Sequence, residues 1–221
     1  INSQIEISTN KGDRELFDGK IRTLDSYIKE VIEWSKMEAG ALEIYPDEVE
    51  FGYLVEAVVK DINKDSRVKI ETKLDMNVEA EMDLSRIVKA VAIFISHIVS
   101  KTDSSEVVYV HVKQLDQQVL FKVTNNEDER NQDSRKYKNK VKELAEFDLL
   151  LATSYLKMHN AKHWYYNEEG KSTHIFEMPL KYKEKKNKKD EVKKDKKAKK
   201  VFLVTASIAL IIYFYFLTNS Y

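Results

Sequence analysis

Histidine is the residue type whose spacing first suggests chemistry in this chain. The sequence has five histidines and no cysteine, which excludes thiolate metal sites, disulfides and thiol catalysis. His159 and His163 are four residues apart, a spacing that can place two imidazoles on one face of a helix. The apolar pattern, however, ends a helix near His159 and begins a strand at His163. We therefore predict that these two residues do not share a metal ion, and no metal site is expected.

Glycine is missing from the middle of the chain, where a phosphate-binding loop would need it. The five glycines are Gly12, Gly19, Gly40, Gly52 and Gly170. A cradle made of close-approaching backbone needs positive φ angles or absent side chains, which only glycine supplies freely. No serine has a recognisable nucleophile motif around it, and the acidic residues are scattered as on solvated faces. The residues therefore specify no independent chemistry.

The elements that would position these residues follow from the apolar periodicity. Helical spacing covers 14–39, 84–99 and 141–158, while alternation covers 68–74, 108–112, 119–123, 163–166 and 175–178. The strands at 108–112 and 119–123 form an antiparallel pair, and the last two strands form a hairpin that turns near Gly170. We expect an α+β fold in which helices cover one face of a mixed, largely antiparallel sheet.

Three strings, in this order, resemble the histidine kinase family. Residues 34–43, WSKMEAGALE, resemble the end of the family's dimerisation and phosphotransfer hairpin. Residues 78–102 are similar to the stretch that enters its nucleotide-binding helix, with Asp83 and Arg86 at matching positions, and residues 170–180 resemble its closing hairpin. The resemblance implies a Bergerat-type ATPase fold at 41–180, preceded at 1–40 by the end of the hairpin.

The family's ATP-handling positions have changed in this sequence. The two asparagines of its nucleotide-binding helix correspond to Ile93 and His97, and the lysine that usually follows corresponds to Ser100, although Lys101 is adjacent. Magnesium prefers oxygen ligands, so isoleucine and imidazole are poor replacements. The adenine-reading aspartate corresponds to Asn125, whose amide could still contact a purine.

The family's glycine motifs have changed as well. Glu127 and Glu129 replace the glycines that follow the adenine-reading position, and Asp148 and Leu150 replace those of the last glycine-rich motif. We therefore predict a degenerate, pseudokinase-like module that needs no cofactor and acts as a scaffold or interaction subunit in two-component signalling. Two alternatives remain open. One is an active, divergent kinase or ATPase that binds ATP and magnesium through Asn125, Lys101 or Lys122, and the other is a structural subunit of a larger membrane complex.

The first predicted helix carries apolar residues on one seam. They are Phe17, Ile21, Leu24, Ile28 and Val31. The resemblance makes this a dimer seam, although an amphipathic helix packed on its own domain would show the same periodicity. A phosphoacceptor histidine, if one exists, is expected upstream of residue 1, since no histidine precedes His97.

The C-terminal end is expected to reach a membrane. Residues 181–200 contain twelve lysines and four acids, whereas 201–217, VFLVTASIALIIYFYFL, are uncharged and apolar. We predict a Lys-rich tether at 181–200 and a transmembrane tail anchor at 201–221, with the globular domain on the cytoplasmic side of a bacterial inner membrane. A buried soluble helix is the alternative for 201–217. Lipid is the expected partner of the lysines, and the net charge of −8 over residues 1–180 argues against nucleic acid.

Overall fold

The computed structural model describes residues 11–126, 146–168 and 170–183, without the side chains of residues 11–18 and 23. The chain divides into two units. One contains helix α1 (Lys11–Glu38), and the other begins at Glu43 and contains all the further elements.

The second unit is an α+β assembly of three helices and seven strands among the described residues. Its elements are β1 (Asp47–Glu50), α2 (Phe51–Asn63), β2 (Lys69–Leu74), β3 (Glu79–Met82), α3 (Leu84–Ser100), β4 (Val107–Leu115), β5 (Gln118–Thr124), α4 (Phe147–Met158), β6 (Lys162–Glu168) and β7 (Lys171–Pro179). The strands β1 and β3 form a small antiparallel sheet, while the main sheet has the order β2-β4-β5-β7-β6. Only β2 and β4 run parallel, which confirms the prediction of a mixed, largely antiparallel sheet.

Four phenylalanines fix the helices on one face of the main sheet. Phe121 of β5 and Phe176 of β7 stack with their centroids 4.8 Å apart, and Phe51 of α2 meets both rings edge-on at 6.4 and 6.0 Å. Phe94 of α3 lies 6.3 Å from Phe176, and none of the four rings has exposed surface. The alternation of the strands therefore directs one row of side chains into this core, as predicted.

Helix α1 agrees with the helix predicted at 14–39, and Gly40 ends it. Gly40 has a φ of 63°, and the Ala41 N–H donates to the Lys36 carbonyl at 2.9 Å, which satisfies a carbonyl that the helix end leaves open. Within the predicted seam, Ile21 and Ile28 are exposed, while Leu24 and Val31 are half-buried. The side chain of Phe17 lies outside the description, and the dimer seam stays a prediction.

The sequence assigned no element to residues 47–63 or 79–82, where the structure has β1, α2 and β3. The two short strands read DEVE and EAEM, with too few apolar residues for alternation to stand out. Helix α2 is rich in valine, whose β-branched side chain is common in strands as well as helices.

No helix in the described part of the chain is both long and apolar enough to span a membrane. The predicted anchor at 201–221 and the tether beyond residue 183 lie outside that part.

Candidate functional site

The candidate site lies where the second half of α3 faces the β6–β7 hairpin. Helix α3 starts at Asp83, whose carboxylate accepts the N–H of Arg86 at 3.3 Å. His97 follows Phe94 by three residues and so shares its buried helical face. In the hairpin, Tyr165 pairs directly with His174, and His163 lies two residues before Tyr165 on the same face.

Three of these side chains form a chain of imidazoles, which we call the histidine chain: half-buried His163, buried His174 and buried His97. The His163 Nε2 atom is 3.0 Å from His174 Nδ1, and His174 Nε2 is 2.8 Å from His97 Nδ1. The other nitrogen of His97, Nε2, is buried without a hydrogen-bond partner among the described residues and lies 3.7 Å from Glu146 Oε1. One end of the chain is thus open toward the start of α4.

Aromatic rings hold the histidine chain in place. The Phe94 ring stacks on His163 at 4.7 Å, with an interplanar angle of 16°. The Tyr165 ring stacks on His174 at 4.5 Å and 25° and meets His97 edge-on at 5.5 Å. Such ring pairs favour one arrangement of the imidazoles beyond what area burial alone would fix.

Burial keeps the three imidazoles neutral near pH 7. It lowers the pKa of His163 to about 4 and that of His174 well below the usual value. Burial also lowers the pKa of His97; the nearby Lys101 charge acts in the same direction and Glu146 opposes it. A neutral imidazole has one donor and one acceptor, which suits a linear chain of hydrogen bonds.

The residues of α3 that correspond to the family's magnesium and phosphate ligands, where no ligand is predicted, have the following surroundings in the protein. Ile93 is half-buried and has no ligand atom, and the Ser100 hydroxyl donates to the His97 carbonyl at 2.9 Å. Lys101 donates to the Tyr165 hydroxyl at 3.3 Å, with its Nζ 5.7 Å from the centre of that ring. The end of α3 therefore meets the closing hairpin through its own side chains.

The surroundings of Tyr165 lower the pKa of its hydroxyl. Burial raises the pKa of its hydroxyl, but hydrogen bonds from Asn167, Ser172 and Lys101 outweigh that effect and leave the pKa below its ordinary value. The Asn167 amide donates to Tyr165 at 3.2 Å and to the Ser172 hydroxyl at 2.9 Å. These bonds link both strands of the hairpin to α3.

Asn125, the position of the adenine-reading residue, is bonded to the same hairpin. Its side-chain oxygen accepts the Ser172 N–H at 2.7 Å, and its side-chain nitrogen donates to the Gly170 carbonyl at 3.5 Å. Its own N–H donates to the Ser172 carbonyl at 3.3 Å, and the residue is only 3% exposed. Both the oxygen and the nitrogen of the side-chain amide are therefore hydrogen-bonded within the protein.

The first turn of α4 contains the remaining described positions. Asp148 and Leu150 are exposed there, and Glu146 precedes the helix without capping it through its side chain. A carboxylate in the first helical turn suits the helix dipole but repels a phosphate. Glu127 and Glu129 lie outside the described residues.

His159 is a buried histidine outside the histidine chain, with a structural role. Its Nδ1 is 2.7 Å from the Tyr155 carbonyl, and its Nε2 accepts the Asp83 N–H at 2.9 Å. Both ring nitrogens are occupied, so it ties the end of α4 to the start of α3. The described residues contain no group of three potential ligands placed to hold a metal ion.

The sequence did not indicate that His163 and His174 join His97. The signal lies in the period-two alternation of the hairpin, which puts His163 and His174 on its core side once the register is known. Register depends on the turn at Gly170, where φ is 81°. Strand periodicity by itself did not provide that register.

Comparison with known proteins places this arrangement in a familiar fold. No family model matches the chain, and no curated protein matches its sequence. Solved structures of histidine kinases match its structure. The histidine kinase AdeS of Acinetobacter baumannii matches with a TM-score of 0.62 and 14% sequence identity, and the match covers 77% of this chain and 85% of that one. Full-length ShkA in complex with AMPPNP gives 0.58, at 14% identity over 78% of this chain and 40% of that one. A mycobacterial sensor histidine kinase, MprB, gives 0.50, at 11% identity over 63% of this chain and all of that one.

These matches establish the fold. The chain has the α+β fold of histidine kinase ATPase domains, which confirms the resemblance for that domain, whereas the end of a dimerisation hairpin at 1–40 stays a prediction. Sequence identities of 11–14% support no more than the fold.

Proposed function

We propose that this chain, which has a histidine-kinase-like fold, is a pseudokinase: a module that does not bind ATP, is anchored at the cytoplasmic face of a membrane, and acts as a signalling scaffold or interaction subunit. One observation carries the proposal. Polar groups at the nucleotide-handling positions hydrogen-bond to the β6–β7 hairpin, His97 through His174 and Asn125 through Ser172.

Binding ATP there would have to break these bonds. A nucleotide approaching Asn125 competes with two backbone partners, and a metal ion at His97 gains one nitrogen where the family uses oxygen. Leaving buried polar groups without partners costs roughly 1–3 kcal/mol each. The absence of glycine from 53–169 also removes the backbone cradle that would repay this cost.

The active-kinase alternative depends on two lysines whose positions argue against it. Lys101 contacts Tyr165, as described above. Lys122 is buried on β5, and alternation places it on the opposite face of the sheet from Phe121 and the helices. A nucleotide bound between α3 and the hairpin would be out of reach of that lysine.

Isothermal titration calorimetry tests the nucleotide part of the proposal. The full chain is titrated with ATP and Mg²⁺, beside an ATP-binding histidine kinase as the positive control. We expect no heat of binding up to millimolar nucleotide. A dissociation constant in the micromolar range would refute the proposal and favour the active alternative.

The membrane part rests on the sequence of residues 181–221. Seventeen uncharged apolar residues at 201–217 follow a segment with a net charge of +8. In flotation with vesicles containing anionic lipid, the full chain should rise with the lipid and withstand alkaline carbonate. A variant ending at residue 200 should be removed by salt. Recovery of the full chain in the aqueous fraction would contradict the anchor.

The scaffold part predicts self-association through the seam of α1. Ile21 and Ile28 are exposed on that helix. Replacing both with glutamate should turn a dimer into a monomer in mild detergent, measured by light scattering. The same change at two polar positions of the helix, Ser26 and Lys29, is the matched control. Co-purification of a stoichiometric set of membrane proteins would instead favour the structural-subunit alternative.

A further inference from the structure

We propose that the histidine chain is an acid-sensitive latch. It holds α3 to the β6–β7 hairpin at neutral pH and releases the hairpin when its three imidazoles take up more than one additional proton. The inference concerns the stability of this contact and does not depend on whether ATP binds.

The geometry makes the histidine chain a buried polar link between these elements, beside the Lys101–Tyr165 hydrogen bond at the end of α3. Within it, His97 belongs to α3, His163 to β6 and His174 to β7. His174 is fully buried and bonds to a histidine on either side, at 3.0 and 2.8 Å. A change in the protonation of any one ring therefore alters the hydrogen bonds that join both strands and the helix.

A count of protons defines when the latch opens. Three imidazoles have six ring nitrogens, of which four face one another in two hydrogen bonds. Each bond needs one proton, so the three protons of the neutral chain occupy the two bonds and one free end, and all three rings share one tautomer. A fourth proton fits at the other free end. A fifth would set two N–H groups head to head and break a bond.

The open end of the chain suits the first of these steps. Among the residues that the structure describes, His97 Nε2 has no hydrogen-bond partner, and it lies 3.7 Å from Oε1 of Glu146, whose side chain is 62% exposed. A proton there forms an imidazolium beside a carboxylate and leaves both inner bonds intact. The buried Nε2 atom of His97 is therefore the position at which we expect the first added proton.

The surrounding groups oppose further uptake. Among the described residues, the ionisable groups facing the chain are Lys101 from α3, Tyr165 from β6 and Glu146 at the start of α4. The Lys101 charge and the neighbouring rings lower the pKa of His174 in addition to burial. Only Glu146 favours protonation. The second added proton therefore enters by breaking the chain, which makes the release steep.

Linkage gives the expected magnitude. In the unfolded chain the three histidines titrate near pH 6.5 and take up three protons, while the intact latch holds one at most. Well below pH 6, these three rings therefore take up about two or more further protons when the protein unfolds. Each such proton raises the unfolding equilibrium constant about tenfold for each pH unit that the pH falls. The histidine chain therefore raises that constant roughly a hundredfold per pH unit.

Denaturant unfolding of the full chain in mild detergent, followed between pH 7.5 and 5, tests this. The variant H174Q should lower the pH dependence of the unfolding constant by about tenfold per pH unit or more. The variant H111Q makes the same change on half-buried His111 of β4, outside the histidine chain, and should lower the dependence by less than H174Q does. Equal slopes for H174Q and the unmodified chain would overturn the proposal.

A measurement on the unmodified chain covers the case in which H174Q does not fold. Imidazole ¹⁵N spectra of the histidine-labelled full chain should show three neutral rings of one tautomer at pH 7. On acidification the His97 signal should change first, and the signals of all three rings should then change together when the latch opens. Three independent titrations near pH 6.5, or a mixture of tautomers, would refute the latch.

Discussion

Replacing Asn125 with aspartate restores the acid that the kinase family uses to read adenine, and we expect it to destabilise this protein. The Asn125 oxygen bond to the Ser172 N–H survives the change. The nitrogen that donates to the Gly170 carbonyl becomes an oxygen, so two acceptors face each other at a position that is 3% exposed.

The cost follows from the lost donor and the buried charge. A buried acceptor without a donor costs about 1–3 kcal/mol, and burial raises the pKa of the new carboxyl above its ordinary value. We expect N125D to lose about 2–3 kcal/mol at pH 7, or roughly 8–12 °C in Tm. Since the folded carboxyl binds its proton more tightly than the unfolded one, the loss should shrink as the pH falls toward about 4, where the protonated group can donate to Gly170.

Thermal and urea unfolding of N125D at pH 7 and pH 5 provide the assay. The neighbouring N126D makes the same change at a half-buried side chain and is the matched control, with an expected loss below about 0.5 kcal/mol. Comparing each variant with the unmodified chain at the same pH removes the contribution of the histidines. If N125D were as stable as N126D at pH 7, the bonding assigned to Asn125 would be wrong.

Two further predictions concern stability. A methyl group at Gly52 would lie 2.5 Å from the Asp75 carbonyl oxygen, so G52A should lose about 1–3 kcal/mol in urea unfolding, whereas G19A, with open space around it, should gain up to about 1 kcal/mol. The Lys171–Glu106 ion pair at 2.6 Å is more than a third exposed on each side, so a double-mutant cycle should give less than about 1 kcal/mol at pH 7. The hydrogen bond from Lys171 lowers the pKa of the Glu106 carboxyl, so this stabilisation is fully present above the ordinary pKa of glutamate and should be lost as the pH falls through the lowered pKa.

The sequence predicted the elements that have a clear period. Helix α3, the β4–β5 pair and the β6–β7 hairpin were predicted because their apolar residues repeat every 3.6 or every two positions. The strands β1 and β3 were not, since four residues with one or two apolar side chains carry no measurable period. Their pairing depends on tertiary contacts, such as the Phe51 N–H donating to the Val78 carbonyl at 2.8 Å.

The site was predicted as a set of substitutions, and the structure adds what those residues do. His97 was expected to be a poor magnesium ligand. Its hydrogen-bond partner His174 lies 77 residues away in sequence, and His163, which bonds to His174, lies 66 residues away. Asn125 was considered as a purine contact, whereas its amide bonds to the hairpin backbone. The residues next to His97 and Asn125 in the sequence do not predict either contact. Each contact depends on how elements far apart in the sequence are aligned in the fold.

His97 and Asn125, at the nucleotide-handling positions, are bonded to the β6–β7 hairpin, and we propose that they do not exchange those bonds for ATP. NMR spectra of the full chain, recorded without and with saturating ATP and Mg²⁺, test it residue by residue. We predict that the His97 and His174 ring signals and the Asn125 side-chain amide do not shift. Concerted shifts of these three signals at micromolar ATP would show that the site opens for nucleotide, and would contradict the account.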